Sequence, residues 1–143
     1  MNKQELQIFT LNNEIKTKLA PSPIHGIGVF TMRSIKAGEK LHCIPSASPQ
    51  FYTLPYASLT KLFPEVRELI LQRWPSVING SAFLSPNDTQ WLVTYINHSS
   101  DSNVINYDVG TDTALRDISK DSELFEDYRR MKNYSILFPW IKE

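Results

Sequence analysis

The stretch Tyr95-Ile96-Asn97-His98-Ser99-Ser100-Asp101-Ser102-Asn103 gathers two amides, a histidine, three serine hydroxyls and an acid just beyond the apolar run Trp91-Leu92-Val93. Such a cluster can close a turn, bind a metal or wall a ligand pocket. A zinc site needs three or four ligands. The three histidines, His25, His42 and His98, are far apart with no i,i+4 pairing, and Cys43 is the only cysteine. No metal is therefore expected. No serine lies in the strand–turn–helix nucleophile motif of the Gly-x-Ser-x-Gly kind, so a serine hydrolase is poorly supported. Taken alone, His98 reads as a structural histidine with its hydrogen bonds met.

Two further stretches carry candidate chemistry. In Ser22–Phe30, Gly26 and Gly28 flank Ile27. Glycines there let the backbone approach a ligand closely and adopt positive φ. The longer spacing of a dinucleotide-binding fingerprint is absent, and no β–α–β pattern follows. The third stretch is Glu123-Leu124-Phe125-Glu126-Asp127-Tyr128. By itself Tyr128 reads as a surface or core aromatic.

The elements that must position these residues are mostly strands. Glu14 to Leu19 alternates apolar and polar residues, the pattern of a half-buried strand. A turn rich in Pro and Gly leads into Val29-Phe30. A tight turn at Ala37-Gly38 precedes a strand near Lys40 to Ile44. Between Pro55 and Trp74 the spacing of Leu59, Leu62, Phe63, Val66, Leu69, Ile70 and Trp74 is helical, with Pro64 near a helix start and Pro75 at the end. Val104–Asp108 and Thr113–Ile118 read as strands joined by the turn Val109–Asp112. A short strand is expected near Glu123 to Phe125. The tail is rich in Tyr134, Ile136, Leu137, Phe138, Trp140 and Ile141, and something should cover it. The sum is a mostly β domain with a small helical insert over about 55–75 and a tail over about 129–143.

The 143 residues suit a single domain. Lys plus Arg (15) equals Asp plus Glu (15), so no overall field draws the chain to nucleic acid or an anionic membrane. No apolar run approaches the ~18 residues of a membrane span, and Met1–Thr10 has no signal-peptide core. With a single thiol, Cys43, read as buried and inert, an intracellular location is expected, nucleus or cytoplasm being open.

Taken in order, the three stretches resemble the SET domain of protein lysine methyltransferases. The family pattern, roughly G-x-G-V-F-A with I-x-x-G-E, then N-H-S-C-x-P-N, then G-E-E-L-x-x-D-Y, stands here as HGIGVFTMRSIKAGE, NHSSDSN and DSELFEDY. The likeness runs from about residue 15 to 130. It implies a β-clip fold of short twisted sheets with a C-terminal pseudoknot, in one SET domain over 1–143. It also implies S-adenosylmethionine as cofactor, held by His25, Gly26, Ile27, Gly28, Asn97 and His98, with Tyr128 as the active-site tyrosine. Tyr95, two residues before Asn97, would share a strand face with it and line the lysine channel, or else be a core tyrosine with its hydroxyl at the rim. Glu126 stands where many members carry the aromatic that limits how many methyl groups are added.

The expected reaction is methylation of a protein or peptide lysine ε-amine. The alternative is a SET-like module that binds peptide or cofactor with little catalysis. Departures are Ser100 for the usual cysteine, Ser102 for proline, and Asp121-Ser122 for Gly-Glu. No cysteine cluster follows Tyr128 in these 143 residues, so the zinc-binding module that often follows the domain is not expected. Tyr134, Phe138 or Trp140 is expected to close over the adenine or the channel in its place. The alternatives are a tail packed as core or a homodimer contact.

Overall fold

A computed structural model describes residues 1–42, 52–73, 77–78, 81–84, 95–108, 111–131 and 134–142. The expectations for Cys43, Trp74, Pro75, the run Trp91–Val93 and the turn at Val109-Gly110 lie outside them. No helix among these residues is long and apolar enough to cross a membrane.

The chain opens with a helix that the strand pattern did not announce, α1 over Lys3–Glu14. A capping box starts it. The Asn2 side chain accepts the Glu5 N–H at 2.9 Å, and the Glu5 carboxylate accepts the Asn2 N–H at 3.1 Å. Ile8 and Leu11 are buried, while Leu6 and Phe9 are about half exposed. The expected strand from Glu14 is therefore corrected. Glu14 ends the helix, Ile15 is extended, and β1 covers Thr17–Pro21.

β1 forms an antiparallel hairpin with β2 (Ile27–Thr31), with Pro21 opposite Ile27. Gly26, at φ +51°, sits in the connecting turn. β3 (Lys40–His42) and β8 (Val104–Asp108) flank β9 (Thr111–Ala114). The expected second strand, Thr113–Ile118, starts and ends earlier because the chain leaves the sheet after Ala114. Leu115 N–H goes to the Asn103 carbonyl, and Ile118 forms an isolated bridge with Ile35.

The spacing and prolines over 55–75 left one helix or two short ones open, and the structure has two pieces. A 3₁₀ helix covers Tyr56–Lys61, and α2 covers Pro64–Arg73. Pro64 suits the first helical position, where its missing N–H is not needed. A small sheet of β4 (Tyr52–Pro55), β5 (Val77–Ile78) and β6 (Ser81–Leu84) adjoins the insert. Asn12 of α1 accepts the Phe63 N–H at 2.7 Å and so ties the first helix to the start of α2.

The buried side chains form two groups. Leu11, Ile15, Met32, Leu54, Leu59, Val66 and Ile70 pack α1 against the insert. Val29, Ile35, Leu41, Ile96, Val104, Ile118 and Leu124 pack together, so each chemistry-bearing stretch has one residue in the core: Val29, Ile96 and Leu124.

The last link brings the sequence ends of the site together. β7 (Asn97–His98) and β10 (Phe125–Glu126) are parallel neighbours, with Asn97 opposite Phe125 and His98 opposite Glu126. The expected strand at Glu123–Phe125 is thus shifted, Glu123 making only an isolated bridge to Phe30. Asn103 clasps the two segments. Its side chain donates to the Glu123 carbonyl and accepts the Phe125 N–H, both at 2.8 Å. Its backbone N–H reaches the Phe125 carbonyl at 3.1 Å, and its carbonyl takes the Leu115 N–H at 2.8 Å. Every polar group of this buried residue is therefore used. Asp121 has φ +61°, in the left-handed region, at the place where the family pattern has glycine. Asp is among the few other residues that tolerate that conformation.

Candidate functional site

A cavity of about 550 Å³ is lined by Ile24, His25, Gly26, Ile27, Tyr95, Asn97, His98, Tyr128 and Trp140. Residues from the β1–β2 turn, from the edge of β7, from the segment after β10 and from the tail thus meet around one space. Its size falls in the range of small-molecule sites.

Each wall has a local cause. The turn before β2 is held by Ser22, whose hydroxyl accepts the Ile24 and His25 N–H groups at 3.0 and 3.2 Å. Asn97 reaches across to the same turn. Its Nδ2 donates to the carbonyls of His25 and Ile27 at 3.0 and 3.2 Å and to Glu123 Oε1 at 2.9 Å. Glu123 Oε2 in turn accepts the Ser22 hydroxyl at 3.0 Å. A Cβ on Gly28 would lie 2.1 Å from Glu123 Oε1, so a side chain at residue 28 would displace the carboxylate from this position.

Tyr128 begins a short 3₁₀ turn, Tyr128–Arg130, which the Asp127 carboxylate caps. Arg129 Nε and Nη2 donate to Asp127 at 2.8 and 2.7 Å, and this pairing draws the Asp127 pKa down to about 2 against the effect of burial. His98 Nδ1 accepts the Tyr128 N–H at 3.1 Å, which leaves the ring hydrogen of a neutral imidazole on Nε2. The Tyr128 hydroxyl donates to the Ile96 carbonyl. Burial, and then the charge of Glu126, raises the Tyr128 pKa, so its phenol stays protonated at neutral pH.

The tail adds an aromatic cover. After a single helical turn, α3 (Tyr134–Leu137), Phe138 packs tilted against Tyr128, with ring centres 4.7 Å apart and planes at 42°. Trp140 meets His98 edge-on at 6.0 Å and Tyr128 at 6.2 Å. His98 and Tyr128 are 5.3 Å apart, which completes a four-ring cluster. Tyr134 does not line the cavity, and Ile136, Leu137 and Trp140 are exposed by 76%, 60% and 59%. The described residues therefore leave much of the apolar tail uncovered.

Of the candidate residues, the structure brings His25, Gly26, Ile27, Asn97, His98, Tyr95 and Tyr128 to one cavity. Three details differ from expectation. Tyr95 sits in a turn rather than on a strand shared with Asn97, because β7 begins only at Asn97. Gly28 faces Glu123 instead of the cavity. Glu126 is half-buried on β10 and is not among the cavity-lining residues. Burial, followed by the nearby Asp112 charge, raises its pKa, with Arg130 opposing.

Glu123 is the organising residue that the sequence reading passed over. Its signal was present in the Glu-Leu pair before Tyr128, but only the fold shows its carboxylate under Gly28 and beside Asn97.

Among solved structures, the chain resembles a Plasmodium falciparum protein named as a candidate histone methyltransferase. The two share 18% identity with a TM-score of 0.41, covering 82% of this chain and all of that one. It also resembles the Chaetomium thermophilum Polycomb Repressive Complex 2 in an autoinhibited conformation bound to S-adenosylmethionine. There the identity is 19% and the TM-score 0.42, over 87% of this chain but only 16% of that one. The same complex in humanized mutant form, bound to the inhibitor GSK343, gives 21% identity and a TM-score of 0.42, over 86% and 16% of the respective chains. A search of curated proteins gave no match. The model of the SET domain family matches residues 26–129, most of the chain, from Gly26 within the first chemistry-bearing stretch through the whole of the other two, and the chain belongs to the SET domain family.

Proposed function

We propose that this chain transfers a methyl group from S-adenosylmethionine to the ε-amine of a protein lysine. The observation that carries the reading is the meeting of Tyr128, Asn97, His98 and the His25–Ile27 turn around a single cavity. Membership of the SET domain family supports it.

The residues present suit that cofactor. The cavity offers backbone at Gly26, an amide at Asn97 and apolar faces at Ile24, Ile27 and Trp140. These are partners for a nucleoside carrying a polar amino-acid arm. Asn97 uses its Nδ2 on the protein, so Oδ1 is the atom it offers as an acceptor to a ligand ammonium. Trp140, exposed and edge-on to His98, would cover a flat ring laid against the turn at Ile27.

When bound, the cofactor supplies a sulfonium methyl, which is already a strong electrophile. The protein's work is positioning. The Ile96 carbonyl accepts from the hydroxyl of Tyr128, a residue of the cavity wall, and so fixes where that oxygen stands. There it can orient an incoming amine and accept weak C–H···O contacts from the methyl. Tyr128 stays protonated and so is an orienter, not the base. The lysine, with a reference pKa of about 10.4, must arrive neutral. Desolvation in a mostly apolar site beside a positive charge favours that form, and the proton leaves to solvent.

The test is incubation of the purified chain with isotope-labelled S-adenosylmethionine and lysate proteins, followed by mass spectrometry. Labelled methyl-lysine is the expected result. Cofactor or peptide binding without labelled lysine would instead support a SET-like binding module.

A further inference from the structure

Resting on the reading of the cavity as a donor site, we propose that Glu123 is a specificity-determining counter-charge, selecting the cationic sulfonium donor over the neutral thioether left after transfer.

Glu123 is 9% exposed. Its two carboxylate oxygens are held by neutral groups, the Asn97 amide and the Ser22 hydroxyl. No ion pair among the described residues involves it. An anion withdrawn from water without a counter-ion is costly, and neutral hydrogen bonds offset only part of that cost. Of the other acids near the site among the described residues, Asp127 is already neutralised by Arg129, and Glu126 does not line the cavity and has the Arg130 charge opposing it. No described lining residue of the cavity carries a fixed charge, its two histidines aside. Glu123 is therefore an uncompensated carboxylate directly behind the cavity wall.

The backbone is built to bring that charge close. Gly28 lacks the Cβ that would displace Glu123 Oε1, so the strand leading out of the His25–Ile27 wall runs directly over the carboxylate. Asn97 relays the charge forward. A carboxylate accepting from Nδ2 polarises the amide and makes its Oδ1 a stronger acceptor toward a cationic ligand. A positive ligand is what this arrangement complements. Loss of the methyl removes the sulfonium charge, and with it the part of the attraction that Glu123 supplies, which favours product release.

Titration calorimetry with S-adenosylmethionine and S-adenosylhomocysteine on the wild type, Glu123→Gln and Glu123→Asp tests this. The wild type should bind the sulfonium ligand roughly ten-fold more tightly than the thioether, the size of a unit charge acting across a partly buried gap. Glu123→Gln, which keeps the shape, should lose most of that preference while its thioether affinity stays put. Glu123→Asp, which keeps the charge, should retain the preference even if both ligands bind less well. Equal weakening of both ligands in a folded Glu123→Gln protein would show a merely structural residue and overturn the proposal. Should Glu123→Gln not fold, equal wild-type affinities, or a preference lost in Glu123→Asp, would overturn it just as well. A folded wild type that binds neither ligand would instead sink the reading of the cavity on which the proposal rests.

Discussion

The ring nitrogen Nδ1 of His98 accepts the backbone N–H of Tyr128 at 3.1 Å, so the histidine of one stretch sets the position of the tyrosine of another. Parallel pairing of β7 with β10 makes the contact possible, with His98 opposite Glu126. Replacing His98 with phenylalanine keeps a ring against Tyr128 and Trp140 but leaves the half-buried Tyr128 N–H without its acceptor. The expected loss is about 1–3 kcal/mol of stability, read by chemical denaturation, together with a fall in kcat larger than any change in the peptide KM.

Tyr128→Phe isolates the hydroxyl. The ring contacts with His98 and Phe138 remain, while the oxygen that meets the Ile96 carbonyl is gone. The fold should persist by circular dichroism, and turnover should drop by roughly 100-fold, the scale of a misplaced reacting group. Full activity in the variant would remove Tyr128 from the chemistry.

Trp140→Ala probes the tail. Its indole is 59% exposed, so its loss should cost little stability. If it closes over the cofactor, affinity should weaken by about 10-fold, the range of a lost aromatic contact, in a protein of unchanged melting temperature. Unchanged affinity would assign the tail to packing or to a contact between chains.

Gly28→Ala tests the seating of Glu123. A methyl group 2.1 Å from Oε1 must push the carboxylate out from beside Asn97 and Ser22. Overpacking of this kind costs about 1–3 kcal/mol, and the loosened Asn97 should weaken cofactor binding as well. A variant as stable as the wild type would mean that Glu123 moves aside freely.

The acid limb of stability should report Asp127. Its folded pKa is drawn down to about 2 by Arg129, below an unfolded value of about 3.9. The stabilisation is therefore fully present above the unfolded value and is lost as pH falls through the folded one. Wild type and Asp127→Asn should differ in denaturation midpoint at neutral pH and converge as pH falls from about 4 toward 2. A gap that stays constant over that window would mean that the carboxylate charge is not what matters.

The three chemistry-bearing stretches were legible in the sequence because each is a short local pattern. Pro and Gly mark the turn before β2, an amide–histidine pair opens β7, and an acidic run precedes Tyr128. The insert was legible for a similar reason, since the helical spacing after Pro55 reflects real burial of Leu59, Leu62, Val66 and Ile70. The first helix was not. Leu6 and Phe9 are half exposed, which blurs its apolar face, and the alternation after Glu14 drew the strand too far back. The capping pair Asn2 and Glu5 was the signal available for it.

The partners of Glu123 and Asn103, residues of the quoted motifs, were hidden for another reason. Both act across the fold, Glu123 on Ser22 and Asn97, and Asn103 on Glu123 and Phe125, and no local pattern records such distant pairings. Tyr95 shows the converse error. Its period-two spacing from Asn97 suggested a shared strand face, yet it reaches the same cavity from a turn.

The most direct measurement is a crystal structure of the chain grown with saturating S-adenosylmethionine. Density for the adenosine is expected between the Ile27 turn and Trp140, with the sulfonium methyl directed at the Tyr128 hydroxyl. Cofactor bound elsewhere, or a methyl pointing away from Tyr128, would contradict the account.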